Sequence, residues 1–158
     1  MRELNKKELD ALHEALDDEY RAWATYDQVI RDFGEVRPFI NIRHAEARHI
    51  QALCSLFNSY GITVPKNNWP GRVDHYASVE AACKAGVEAE IANGEMYDRL
   101  IGNARKNDII TVLRNLQEAS QQRHLPAFQR CVERGAGGGR QHRDGRCGGR
   151  GNKHQNEN

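Results

Sequence analysis

Four stretches of this chain repeat apolar residues at spacings of three and four, and each interrupts its stripe with polar groups at a similar depth. The first runs Leu9, Leu12, Leu16, Glu19, Trp23, Tyr26, Ile30, and the second Ile42, Glu46, His49, Leu53, Leu56, Tyr60. The third runs Val79, Cys83, Val87, Glu90, Gly94, Tyr97, Ile101, and the fourth Ile110, Leu113, Gln117, Gln121, His124, Phe128, Cys131. Residues three and four apart share one face of an α-helix, so each stripe reads as the buried side of an amphipathic helix. The pattern predicts an all-α four-helix bundle with charge in its middle.

Local signals set the boundaries. Asn5 with Glu8 three residues on forms a capping box, and Gly34 stops the first helix. Pro38 suits the first turn of a second helix that ends at Gly61. Residues 61–77 hold Pro65, Asn67, Asn68, Pro70 and Gly71 without helical period. Extended, that segment reaches roughly 50 Å, against about 33 Å for the second helix. It can return along the whole bundle, giving antiparallel helix pairs joined by one long crossover between helices two and three. Trp69 is expected to pack it down. Ser78 caps a third helix ending near Ala104, and Asn107-Asp108 cap a fourth ending at Gly135. Pro126 lacks a backbone N–H and should bend this last helix just after His124.

These boundaries permit a test of depth. From the turn at residues 34–37, Glu19 and Glu46 lie roughly 22 and 18 Å down their helices, and Glu90 lies about 18 Å past Ser78. Counted from the turn near Lys106, Gln121 and His124 come to the same level. Glu19, Glu46, His49, Glu90, Gln121 and His124 therefore converge in the interior. Glu46-Ala47-Arg48-His49 puts a carboxylate and an imidazole at i and i+3, where both can reach one metal ion. Such a pair occurs by chance on charged surface helices; its place on the buried stripe is what distinguishes it. Unpaired carboxylates in a core cost several kcal/mol each. Such a core must protonate them, hold cations beside them, or bring in arginines, for which Arg43, Arg48 and Arg123 are the candidates.

Net charge is +1 over 158 residues, and the distribution is uneven. From Arg134 on, six basic residues face Asp144 and Glu157, so the tail carries +4 and the body −3. An acidic body argues against a dedicated nucleic-acid domain; the Gly/Arg-rich tail would bind nucleic acid only weakly and salt-sensitively. Residues 1–134 read as the bundle and 135–158 as a disordered tail, with a solvated extension and a metal-collecting tail as further readings. No apolar run reaches membrane length, and no signal-peptide core follows Met1, so the expected location is cytoplasmic. Cys54, Cys83, Cys131 and Cys147 lack C-x-x-C spacing.

The order Glu19, Glu46-x-x-His49, Glu90, x-x-x-His124 resembles the ferritin-like superfamily. The surrounding text goes further: Asp18-Glu19-Tyr20-Arg21-Ala22, Arg37-Pro38-Phe39-Ile40-Asn41-Ile42, Ala45-Glu46-Ala47-Arg48-His49-Ile50, Ala89-Glu90-Ile91-Ala92-Asn93, Met96-Tyr97-Asp98-Arg99-Leu100 and Arg123-His124-Leu125-Pro126-Ala127-Phe128. Together these resemble one prokaryotic ferritin-like family of unknown function (DUF2202-like) over about residues 5–133. The resemblance implies a dimetal carboxylate site holding one or two iron ions, with manganese or zinc as alternatives. It further implies O₂ or peroxide as reactant and a separate, unidentified electron donor. The sequence departs from the superfamily at the second E-x-x-H, which reads Gln121-Gln122-Arg123-His124. A neutral amide is a weak ligand for hard cations, so one tight site plus a weaker second one is expected.

The functional expectation is a metal-binding protein with iron-dependent redox chemistry at a degenerate site. The alternatives are a metal-binding protein without turnover and a metal-free scaffold. A homodimer suits a bundle of this size, though no feature demands it. Tyr26 and Tyr97, each one heptad past a glutamate, read as core aromatics, with hydrogen-bond partners of the ligands or sacrificial redox groups as the alternatives. Trp23 reads as core. Cys83 and Cys131 read as small buried residues, with pairing or thiol donation to peroxide chemistry as the alternatives, Cys54 as plain core, and His13, His44 and His75 as surface groups.

Overall fold

The fold is that of a computed structural model, which describes residues 3–137. Among these, every regular element is helical: α1 (Lys6–Phe33), α2 (Phe39–Ser59), α3 (Val79–Asn103), α4 (Asn107–Ala119), a π-turn (Ser120–His124) and α5 (Leu125–Gly137). The last three follow without a break and act as the fourth rod of the bundle. Of the tail expected over residues 135–158, residues 135–137 continue α5, and the remainder lies outside the described residues. No helix among those described is long and apolar enough to cross a membrane.

The caps explain most boundaries. The Asn5 side chain accepts from the Glu8 backbone N–H at 2.8 Å, and the Glu8 carboxylate accepts in return from the Asn5 N–H at 3.4 Å. Gly34 ends α1 at φ +89°, where a side chain would be strained. Ser78 Oγ accepts from the Ala81 N–H at 3.0 Å at the start of α3. Two expected caps differ. Pro38 precedes α2 rather than opening it. The N-cap of α4 is Lys106, with no side-chain cap of its own. Glu8 serves that end from α1: its Oε2 accepts from the backbone N–H groups of Arg105 (3.1 Å) and Lys106 (3.0 Å). Burial raises the Glu8 pKa, but the backbone bonds from Lys106, Arg105 and Asn5 outweigh it and leave the carboxyl below its usual range.

Contacts between helix ends define the topology. Glu8 joins the start of α1 to the start of α4, and the Tyr60 hydroxyl, just past α2, donates to Asp108 at 2.6 Å. Cys83, early in α3, is disulfide-bonded to Cys131, late in α5. Residues 60–78 therefore carry the chain from one end of the bundle to the other, and α2 and α3 run parallel. This crossover lies along α1. The Trp69 indole N–H donates to Asp17 at 2.9 Å, the Tyr20 hydroxyl to the Pro65 carbonyl at 2.8 Å, and the Asn67 amide to the Tyr20 carbonyl at 3.3 Å.

The core is divided. One apolar cluster gathers Leu12, Leu16, Leu53, Phe57, Tyr97, Leu100, Ile109 and Leu113. The other gathers Tyr26, Val29, Phe39, Ile42, Ala82, Cys83 and Phe128. Between them in every rod comes a buried polar residue: Glu19, Glu46, Glu90, and Ser120 with His124. Trp23, expected in the core, is only half-buried. Cys54 is free and half-buried.

Candidate metal centre

The three glutamates each expose 3% of their surface, and His124 4%. Glu46 is central. Its Oε2 lies 3.3 Å from His49 Nδ1, and its Oε1 lies 3.2 Å from His124 Nδ1. One carboxylate thus faces both imidazoles, an oxygen to each. Glu19 Oε2 stands 3.4 Å from His49 Nδ1, and Glu90 Oε1 stands 3.4 Å from His124 Nδ1. The imidazole rings stack at 5.5 Å between centroids. Two groups result, Glu19–Glu46–His49 and Glu46–Glu90–His124, and the donor atoms within each lie within 4.8 Å of one another. Either group could hold a metal ion. Carboxylate oxygens and imidazole nitrogens suit iron, manganese or zinc.

Around the five converging residues lies a layer of hydroxyl donors. The Tyr97 hydroxyl donates to Glu19 Oε1 at 2.5 Å, and the Tyr26 hydroxyl to Glu90 Oε1 at 2.9 Å. Both tyrosines are therefore core aromatics and partners of the glutamates at once. Burial, then the charge of Glu90 beside Tyr26 and of Glu19 beside Tyr97, pushes both phenols well above their usual value and keeps them protonated as donors. The Ser120 hydroxyl donates to Glu90 Oε2. On the crossover side, the Asn93 amide donates to Asp18 at 2.6 Å, and burial with the charge of Glu19 holds Asp18 at about 6.

No arginine among the described residues pairs with Glu19, Glu46 or Glu90. Arg43 turns to Asp27 at 2.6 Å, and Arg48 and Arg123 are exposed. Compensation within the cluster falls to protons. Burial and the charge of Glu46 raise Glu19 to about 8. Burial also raises Glu46, but its close contacts with Glu19, His124 and His49 win and leave it lowered. Burial lowers His49 and His124, yet their contacts with Glu19 and Glu46, and with Glu46 and Glu90, hold them at about 9 and 10. Two buried polar atoms are left over among the described residues, Asn93 Oδ1 in the surrounding layer and His124 Nδ1 in the cluster itself. His124 Nδ1 is buried without a hydrogen bond of acceptable geometry, although two carboxylate oxygens stand within 3.4 Å. A ring nitrogen aimed between two oxygens fits a shared cation better than it fits either oxygen.

Gln121 does not join the cluster. Its amide nitrogen donates to the Glu90 carbonyl at 2.6 Å and to Ser120 Oγ at 2.9 Å. The side chain lies over Gly94 of α3, where an added Cβ would meet the amide at 2.6 Å. The cause is the π-turn. Its wider turn closes with the Leu125 N–H on the Ser120 carbonyl, five residues back, and takes up one extra residue. The inner stripe therefore runs Ile109, Leu113, Leu116, Ser120, His124, Phe128, Cys131 instead of Ile110, Leu113, Gln117, Gln121, His124. Ser120 is the site residue that strict helical spacing misses. The available signal was Pro126: its missing N–H requires an irregularity nearby, and a π-turn supplies one.

Cys83 and Cys131 are bonded, with Cα atoms 6.1 Å apart. His13 packs edge-on against Phe57, His75 contacts Asp32 at 2.7 Å, and His13, His44 and His75 are all exposed.

No protein-family model matches the chain, and no curated protein sequence matches it. Among solved structures, the crystal structure of hypothetical protein MJ0754 from Methanococcus jannaschii DSM 2661 superposes with a TM-score of 0.77. The match covers 86% of this chain and 85% of that one at 22% sequence identity. The likeness is one of fold.

Proposed function

We propose that this chain is a ferritin-like carboxylate/histidine protein that binds iron at the centre of its bundle and supports redox chemistry there. The supporting observation is the shared glutamate. Glu46 turns one oxygen to each imidazole, and Glu19 and Glu90 close the two groups from opposite sides. Glu46 would be common to both ions, with Glu19 and His49 completing one group and Glu90 and His124 the other. Bound iron would supply one-electron chemistry toward O₂ or peroxide. The chain's part is to orient and shield. Tyr97 and Tyr26 hold Glu19 and Glu90 by hydrogen bonds, and the apolar clusters bound the polar layer toward either end of the bundle.

A second reading, metal binding without turnover, is favoured by position 120. Ser120 is the inward-facing residue where a fourth carboxylate would complete the donor set. The two readings separate on rapid mixing of Fe(II)-loaded protein with peroxide. The redox reading expects repeated cycles of oxidation when a reductant is present, lost in Glu46→Ala. Oxidation that stops after a single equivalent per site selects the binding protein. No retained metal, with melting unchanged by EDTA, rejects both.

A further inference from the structure

A cavity opens on the flank away from the crossover. It lies between α2 and the rod of α4, the π-turn and α5, encloses about 640 Å³, and ends on His49 and His124. That volume is typical of small-molecule sites. Its wall carries Arg37, Arg48, Arg123, Arg130 and Arg134, with no carboxylate among its lining residues. Among the described residues none of these arginines makes an ion pair, whereas Arg21, Arg31, Arg43 and Arg99, all outside the cavity, each pair with an acid. Its floor is apolar and small: Ala45 and Ala52 on α2 face Leu116, Ala119 and Ala127. Short side chains on both sides create the hollow.

We propose that this cavity binds a small organic acid. Guanidinium groups present paired N–H donors that match a carboxylate. The alanine floor takes the apolar body, which inorganic phosphate lacks. Two copies of so basic a face would repel, which disfavours self-association here. The proposal rests on the cavity's own residues and holds whether or not the centre carries an ion.

Calorimetric titration of the full chain at low salt, with and without EDTA treatment, tests it. The probes are benzoate, benzyl alcohol and inorganic phosphate. Benzoate is expected to bind saturably, at least about tenfold tighter than either control, the equivalent of one charge-assisted hydrogen bond. Arg123→Gln combined with Arg130→Gln should weaken it by about tenfold or more on the same scale, with circular dichroism and melting unchanged because both residues are exposed. Ala127→Phe, which fills the floor and leaves every arginine in place, should abolish binding; should that variant fail to fold, Ala45→Phe makes the same test from α2. Equal affinity for phosphate or benzyl alcohol would overturn the proposal. So would indifference to the arginine variant, or binding that disappears with EDTA, which would make benzoate a ligand of an ion in the centre.

Discussion

The two halves of the polar layer use the same kinds of donor in different settings. Glu46–Glu90–His124 is the more deeply buried, no member exposing more than 4% of its surface, and the Tyr26 and Ser120 hydroxyls both donate to Glu90. Glu19–Glu46–His49 is more open: the His49 side chain is 13% exposed, and Glu19 receives a single hydroxyl, from Tyr97. Hydrogen bonds donated to a carboxylate draw on the lone pairs a cation would use. The group with one hydroxyl partner should therefore bind its ion more tightly, and the group with two should bind more weakly. Donor identity alone does not rank two sites; the partners one bond further out do.

The comparison can be broken at its hinge. Glu46→Ala removes the residue common to both groups and should abolish both equivalents of bound metal, read by elemental analysis after loading with Fe(II) or Mn(II). Retention of one tight equivalent would mean that Glu46 is not shared. His49→Ala should then remove the tight equivalent and leave the weak one, whereas His124→Ala should do the reverse. Identical losses from the two variants would erase the proposed difference between the sites.

Position 120 sharpens the comparison further. Ser120→Asp places a fourth carboxylate toward Glu90. It should raise the weak site to full occupancy and lower the melting temperature of the EDTA-treated protein, since like charges then meet in the core. Gln121→Glu should leave stoichiometry unchanged, because that side chain lies over Gly94. The opposite pairing of results would restore the unbroken helix.

Two smaller effects should leave metal content alone and test only the frame. Reduction of Cys83–Cys131, which are 48 residues apart, should cost up to about 4 kcal/mol in denaturant unfolding on the chain-entropy view. Glu8→Gln should cost about 1–2 kcal/mol, the usual weight of a lost cap. The Glu8 pKa is lower folded than unfolded, so its contribution is complete above about pH 4.5 and disappears as pH falls below that. Wild type should lose stability across that acid window, and Glu8→Gln should lose less.

Much of this frame was legible in the sequence because it rests on local rules. The stripes of α1, α2 and α3, the Asn5 and Ser78 caps, the Gly34 stop and the reach of residues 61–77 all follow from periodicity, cap chemistry and chain dimensions. So did the convergence of Glu19, Glu46, His49, Glu90 and His124, since depth in a bundle is a count of residues at constant rise. What failed at the site depended on a single inserted residue. The π-turn shifted the inner face from Gln121 to Ser120, and constant spacing cannot register such a shift. Glu8 reaching across to α4, and the choice of Cys83 to bond Cys131 over simply packing beside it, are tertiary events with no local mark.

Calorimetric titration of EDTA-treated protein with Mn(II), a redox-stable stand-in for Fe(II), bears most directly on the central reading. Wild type should show a tight and a weak equivalent and a higher melting temperature once loaded. The apparent affinity should climb between pH 6 and pH 8, as protons on His49, His124 and Glu19 give way to the cation. A flat titration with unchanged melting would contradict it, leaving the buried carboxylates balanced by protons alone.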